Sequence, residues 1–255
     1  MKHTFWEQFP FLIAATSTRH GGVSLPPYDS LNLSFTVGDD PMFVRENRKR
    51  WLEDLGIKPN QVVFTKQGHT SIITEVHVSD GGRGYESFDD GITGDALYTK
   101  DRNLYLAIYH ADCVPIFFCS PKHDLVGIIH AGDKGTLNGA TSSIVRELIA
   151  KENLEPRDLY FMFGPSVSFG HNELNEEDAL KIAAVDKVYA RGIKRSMGVY
   201  FLDTPFINFL QLRELGVPVE NITVSGICTH ENDDTFFAAG KTHPTGRNVS
   251  YIARL

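Results

Sequence analysis

Two segments, Tyr109-His110-Ala111-Asp112-Cys113-Val114-Pro115 and Gly127-Ile128-Ile129-His130-Ala131-Gly132, decide how this chain is read. Apolar runs from Val114 to Cys119 and from Leu125 to Ile129 flank Ser120-Pro121-Lys122-His123. That linker has the Pro and polar residues of a tight turn, so the pattern predicts a β-hairpin. With the turn centred between Pro121 and Lys122, Ser120 faces His123 and Cys113 faces His130, whether the loop has two residues or four. Side chains directly opposite on an antiparallel pair have Cβ atoms about 4.5–5.5 Å apart, near enough to share a proton or a metal ion. The pair also has a structural reading, a buried free thiol beside a hydrogen-bonded core histidine. Both faces of the hairpin are apolar, which puts it inside a layered structure.

The rest of the chain narrows the class. Its 255 residues suit one large domain or two small ones, and no linker is visible, so the expectation is one domain over 1–255. A net charge of −7, a pI near 5.8 and scattered Lys and Arg give no basic footprint for nucleic acid. Cys113, Cys119 and Cys228 are an odd set without a CxxC pair, so no disulfide framework is indicated. An acid at Glu7 and a short, Pro-interrupted apolar run from Phe9 to Ala15 argue against a signal peptide or a membrane span, and the expected location is cytoplasmic. The absence of His-X-His counts against a cupredoxin-type multicopper oxidase.

Working outward, Leu12 to Thr18 reads as a strand leading Arg19 and His20 into a Gly/Pro-rich loop. Asp39-Asp40-Pro41 caps a helix that stops at Gly56, with Val44, Trp51, Leu52 and Leu55 as its apolar stripe and Arg45, Arg48, Lys49 and Arg50 on a solvated face. Gln61 to Lys66 and Ser71 to Val78 read as strands around Gln67-Gly68-His69, where His69 is either an ordinary turn residue or a ligand. Asp80 to Gly84 reads as a mobile loop without a nucleotide-binding fingerprint. Further strands are expected at Thr93 to Tyr98, Leu104 to Tyr109, Leu159 to Phe163, Ile222 to Cys228, Thr235 to Ala238 and Asn248 to Ala253. Helices are expected after His130, with Ile144, Val145, Leu148 and Ile149 buried, and from Asn175 and Thr204. The turn at Gly132 to Thr136 is either an anion pocket aided by Lys134 or a plain tight connection. Strands and helices alternate without a strict βαβ rhythm, so the fold class is α/β of the α+β type, with mixed sheets layered with helices rather than one doubly wound parallel sheet.

A family resemblance rests on several motifs in order: Ser17-Thr18-Arg19, Gly21-Gly22-Val23-Ser24, Ser30-Leu31-Asn32-Leu33, Val37-Gly38-Asp39-Asp40, Asn47-Arg48, Gln67 with His69, Gly94-Asp95-Ala96, Ala111-Asp112-Cys113-Val114-Pro115, His130-Ala131-Gly132, Gly164-Pro165-Ser166 and Thr245-Gly246-Arg247. Together they resemble the YfiH/YlmD-like laccase-domain family over nearly the whole chain. The resemblance implies a single α/β domain whose Cys/His geometry is related to the catalytic domain of cytotoxic necrotizing factor. It implies a metal site, usually zinc, mapping onto His69, Cys113 and His130. Three protein ligands leave a fourth position for water or substrate, the pattern of a catalytic zinc.

Family members have been assigned purine nucleoside phosphorolysis and adenosine deamination, with an older assignment as copper polyphenol oxidases and a link to peptidoglycan quality control. Carried onto this chain, the resemblance implies catalytic roles for Cys113, His130, His69 and Asp112. Arg19, Arg48 and Lys134 become candidates for phosphate, and Asp95, Asp112 and Gln67 for base or sugar. The partners implied are a purine nucleoside and phosphate, or a phenol with copper as the alternative cofactor. A third reading is a nucleoside- or peptidoglycan-precursor-binding protein without turnover. The chain departs from the family at Asp133, where an aromatic residue is usual, and at Ala238-Ala239-Gly240-Lys241, where a Tyr-Arg-Arg run is common.

Overall fold

The computed structural model describes residues 2–6 and 8–255, the first four by backbone alone; Glu7, the acid that weighed against a leader segment, lies outside the described residues. In chain order the strands are β1 (Lys2–Phe5), β2 (Leu12–Ser17), β3 (Val62–Lys66), β4 (Ile73–Glu75), β5 (Ile92–Thr93), β6 (Ala96–Thr99), β7 (Tyr105–His110), β8 (Val114–Ser120), β9 (Leu125–Ala131), β10 (Tyr160–Phe163), β11 (Glu173–Leu174), β12 (Ile193–Ser196), β13 (Val199–Leu202), β14 (Ile222–Val224) and β15 (Asn248–Arg254). The helices are α1 (Pro41–Leu55), α2 (Asp133–Leu137), α3 (Ala140–Glu152), α4 (Glu176–Val185), α5 (Lys187–Arg191) and α6 (Thr204–Glu214).

Two mixed sheets, ordered β1-β2-β15-β7-β3-β5 and β14-β10-β8-β9-β6-β4, stack face to face. Alternation along β8 explains the stacking. Phe117 and Cys119 pack toward β7 and β15 with Leu106, Ile108 and Ile252, whereas Ile116 and Phe118 pack toward α3 and α6 with Ile144, Leu148 and Leu212. On the far side of the first sheet, Trp51 and Leu52 of α1 cover Phe64, Tyr105 and Tyr251. The order of layers is therefore helix, sheet, sheet, helix. A small third sheet, β11-β13-β12, carries α4 and α5 beside α6 and was not visible in the sequence.

The central hairpin forms, with a corrected register. Its loop has four residues, Pro121 to Asp124, and is centred one residue later than expected because Asp124 enters the left-handed region at φ 55°. Ser120 consequently pairs with Leu125, and His130 with Pro115 rather than with Cys113. The shift moves the partner by two positions, so Cys113 stays on the face of the ladder that carries His130, one step along the diagonal. Phe118 lies across the hairpin from Gly127, where an added Cβ would stand 2.1 Å from the ring; only glycine fits there.

Local signals were reliable where a cap was present. Asp40 accepts from Met42 N, Pro41 opens α1, and Gly56 closes it at φ 70°. Arg48 does not lie on a solvated face. It follows Val44 by one turn, sits on the apolar stripe and is fully buried. Asp80 to Gly84 is not a free loop, since Phe64 N donates to Arg83 O and Gly82 N to Val62 O. Ile222 to Cys228 is a strand only as far as Val224, and Thr235 to Ala238 is a turn that buries Phe236 and Phe237. None of the described helices is long and apolar enough to cross a membrane.

Candidate metal centre and its cavity

The site begins with a carboxylate. Asp95 precedes β6 and is fully buried, with its side chain turned toward the loop that follows β3. That loop wraps the carboxylate. Gly68 N, His69 N and Thr70 N donate to it at 3.2, 3.1 and 2.6 Å, and Thr70 Oγ1 adds a fourth bond at 2.8 Å. His69 can make this turn because its φ is 55°, a left-handed conformation held by those bonds. From β9, His130 Nδ1 donates to the same carboxylate at 2.9 Å, and His130 N donates to Asp95 O at 2.7 Å.

The charges follow from this geometry. Burial pushes the Asp95 carboxyl up, but the His130 and Thr70 hydrogen bonds outweigh it and hold the group at about 2. Burial pushes His130 down, yet the neighbouring Cys113 and the Asp95 hydrogen bond carry it up to about 9. Burial and the adjacent His130 push His69 below the usual imidazole range. Asp95 therefore fixes His130 through one ring nitrogen and holds it beside Cys113.

Cys113 sits on the tight corner between β7 and β8, which turns at Asp112 with φ 83°. Asp112 is held in this conformation by Thr229 Oγ1 and Gly240 N, each donating at 2.6 Å, and His230 Nε2 stands 3.4 Å from the carboxylate without bonding it. Gly132 leaves the space into which the donors converge. A Cβ on Gly132 would lie 3.0 Å from both Cys113 Sγ and His69 Nδ1, so the glycine is required for the approach. His69 and His130 rings lie 5.1 Å apart. Cys113, His69 and His130 thus bring one sulfur and two imidazoles to a common space, with the Asp95 carboxylate behind the histidines, donor types that suit zinc or another borderline cation. His69, Asp95 and His130 also lie close enough to hold an ion on their own, with ligand atoms within 4.8 Å of one another. The Asp95 carboxylate oxygens already accept four loop bonds and one from His130, whereas Cys113 Sγ borders the space at Gly132.

Two cavities meet at His69 and Cys113. One, of about 340 Å³, adds Asp112, Asp133, Lys134, His171 and His230. The other, of about 200 Å³, adds Gln67, Tyr109, His130 and Arg247. Lys134 lines the first cavity and Arg247 the second.

Other sequence candidates stand elsewhere. Arg48 donates to Leu33 O and Gly84 O at 2.8 and 2.7 Å, also bonds Tyr85 O and the Tyr109 hydroxyl, and stacks over Phe35 and Phe64. It braces α1 against the sheet and does not line either cavity. Arg19 is spent on Asp29 O and Asp233 O and lies over Phe237. Gln67 lines the smaller cavity, but both ends of its amide bond the Tyr109 backbone, at 2.8 and 2.6 Å. Asp95 lies behind the histidines rather than at a substrate surface. Asp133 accepts from Thr204 Oγ1 at 2.5 Å and Asn172 Nδ2 at 3.2 Å, so the acid that departs from the family pattern ties the cavity wall to the start of α6. The sequence reading did not select His171, His230 or Arg247. Arg247 was signalled by the terminal Thr-Gly-Arg motif, whereas the two histidines lie in aperiodic loops that carry no local signal.

Comparison with known proteins agrees with this architecture. Residues 13–255 match the family described as multi-copper polyphenol oxidoreductase laccase. The chain is 35% identical to the purine nucleoside phosphorylase YlmD of Geobacillus stearothermophilus over 250 residues, covering 96% of this chain and 91% of that protein. It is 33% identical to the protein of the same name from Bacillus subtilis, covering 94% and 88%. The fold superposes on the crystal structure of the Geobacillus stearothermophilus YlmD with a TM-score of 0.89 at 34% identity, covering 98% and 94%. It superposes on a Bacillus licheniformis hypothetical protein, YfiH, with a TM-score of 0.90 at 31% identity, covering 98% and 95%.

Proposed function

The chain belongs to the multi-copper polyphenol oxidoreductase laccase family, and we propose that within it this protein is a zinc-dependent purine nucleoside enzyme that cleaves the N-glycosidic bond with phosphate and also deaminates adenosine. The observation that carries the reading is the shared Asp95 carboxylate, which fixes His69 and His130 beside Cys113. Relatives that the chain matches over nearly its whole length are named purine nucleoside phosphorylases.

A zinc ion held by His69, Cys113 and His130 would supply Lewis acidity and a bound water with a pKa lowered to about 7. The chain's own residues supply the remainder. Lys134 and Arg247, on the two cavities that share His69 and Cys113, attract and hold the anionic co-substrate. Asp112, clamped by Thr229 and Gly240, holds its carboxylate beside Cys113 and exchanges a proton with the departing base. Gln67 keeps the β3 end fixed to Tyr109 and so maintains the width of the smaller cavity.

The test is metal analysis of protein purified without added metal, followed by adenosine and inosine turnover with and without phosphate. Near-stoichiometric zinc with phosphate-dependent release of adenine or hypoxanthine is expected, with slower phosphate-independent conversion of adenosine to inosine. A thiolate set between two imidazoles also suits copper, and this favours one second reading, a copper-dependent phenol oxidase. Bound copper, oxygen uptake with a phenol and no nucleoside turnover would replace the first reading with the second.

A further inference from the structure

Behind the His171 wall of the larger cavity, three donors that the proposed chemistry does not use converge from two segments. Cys228 and Glu231 are brought together by a turn in which Asn232 N and Nδ2 both bond Cys228 O, at 3.1 and 2.8 Å. Cys228 is anchored by its bridge to Ser166, and Thr229 N donates to Ser166 O at 3.0 Å. His171 arrives at the end of a single 3-10 turn, Phe169–His171. Its Nδ1 lies 3.6 Å from Cys228 Sγ and 3.7 Å from Glu231 Oε1, and the three ligand atoms fall within 4.8 Å of one another.

We propose that His171, Cys228 and Glu231 form a second site, for a borderline divalent transition cation of the zinc type. A tetrahedral ion with sulfur at about 2.3 Å and nitrogen at about 2.0–2.1 Å sets those two donors about 3.5 Å apart, close to the spacing observed. Ser168 N donates to Cys228 Sγ at 3.4 Å, which fixes the sulfur beside His171. One thiolate and one carboxylate balance a dication, and the sulfur selects against magnesium and calcium.

Competing explanations account for less. Glu231 and His171 are 61% and 41% exposed in their side chains, and an ion pair that open to water is too weak to fix its own geometry. The neighbouring His230 packs its buried ring 5.4 Å from that of His171, while its Nε2 faces Asp112 at 3.4 Å and so leaves the three donors to one another. A cation at His171 leaves a fourth position for water or a ligand oxygen, and His171 and His230 line the cavity that holds Cys113 and Lys134. The second site does not depend on nucleoside chemistry or on Cys113.

Cobalt(II) titration of the full chain carrying Cys113→Ser tests the site with the first thiolate removed. We expect a near-ultraviolet thiolate-to-cobalt band that disappears when Cys228→Ser is added. His171→Ala and Glu231→Gln, at exposed positions where the fold tolerates change, are expected to weaken cobalt binding by about tenfold or more. Absence of the band in Cys113→Ser overturns the proposal. So does a band that persists after Cys228→Ser or is unmoved by both exposed substitutions, because it would then arise from Cys119 or from an incidental site. No substrate is present, so loss of the nucleoside reading leaves the result unaffected.

Discussion

The backbone N–H of His69 and the ring Nδ1 of His130 donate to the same oxygen, Oδ1 of Asp95, at 3.1 and 2.9 Å. A loop after one strand and a side chain from another are therefore positioned by a single buried atom. Removing that carboxylate leaves His130 and three loop amides without their acceptor. Asp95→Ala is expected to cost about 3–5 kcal/mol, the range for breaking a buried charged pair. The isosteric Asp95→Asn should keep the fold and weaken metal binding by about 10–100-fold, as outer carboxylates do. Denaturant melts and competition with a chromogenic chelator would show this; unchanged midpoint and affinity would mean that Asp95 does not organise the site.

The same network sets a pH dependence for the metal-free protein. Asp95, held at about 2, is depressed below its ordinary value, so its stabilisation is present above pH ~4 and is lost as pH falls toward ~2. His130, raised to about 9, behaves oppositely: its stabilisation is complete below pH ~6.5 and is lost as pH rises through ~9. Stability of chelator-treated protein should therefore decline at both ends. The alkaline decline should flatten in Cys113→Ser, which removes the sulfur that helps to raise His130. Urea midpoints across the pH range give the measurement, and an alkaline limb identical in wild type and variant would contradict it.

Legibility tracked the range of the physical signal. α1 was readable because Asp40, Pro41 and Gly56 act within one turn of the helix ends, and the hairpin because two apolar runs meet at a short polar linker. The register was less accessible, since it hinged on one backbone angle at Asp124. Arg48 was misplaced because charge was given more weight than its position one turn after Val44, although buried carbonyls can satisfy a guanidinium. The pairing of β2 with β15 joins the two ends of the chain, and His171 and His230 meet through loops; neither has a local period. The proposed metal set rests on the family resemblance joined to the hairpin, and Asp95 as the acceptor shared by the His69 and His130 segments is legible only in the fold.

Arg48 offers a separation of structure from chemistry. Its guanidinium is buried and bonded to backbone carbonyls, so Arg48→Lys loses fork geometry that an ammonium does not reproduce. A loss of about 2–4 kcal/mol is expected from buried acceptors left unpaired. At a temperature where the variant is still folded, the KM for phosphate should be unchanged. A large rise in that KM with native stability would return Arg48 to the list of anion ligands.

Lys134 and Arg247 should behave in the opposite way. Lys134 is exposed and faces His69 across the larger cavity, whereas Arg247 donates to Thr245 O and Gly246 O and faces Cys113 in the smaller one. Lys134→Ala removes a solvent-exposed charge, so stability should change by no more than about 0.5 kcal/mol. The KM for phosphate should rise by about 3–10-fold, and more steeply at low ionic strength, because screening already weakens the interaction at high salt. Arg247→Lys keeps the charge but releases the two backbone bonds, and is expected to raise KM and lower kcat together through misplacement of the cavity wall. If phosphate dependence is untouched in both variants while turnover persists, the anion is bound elsewhere.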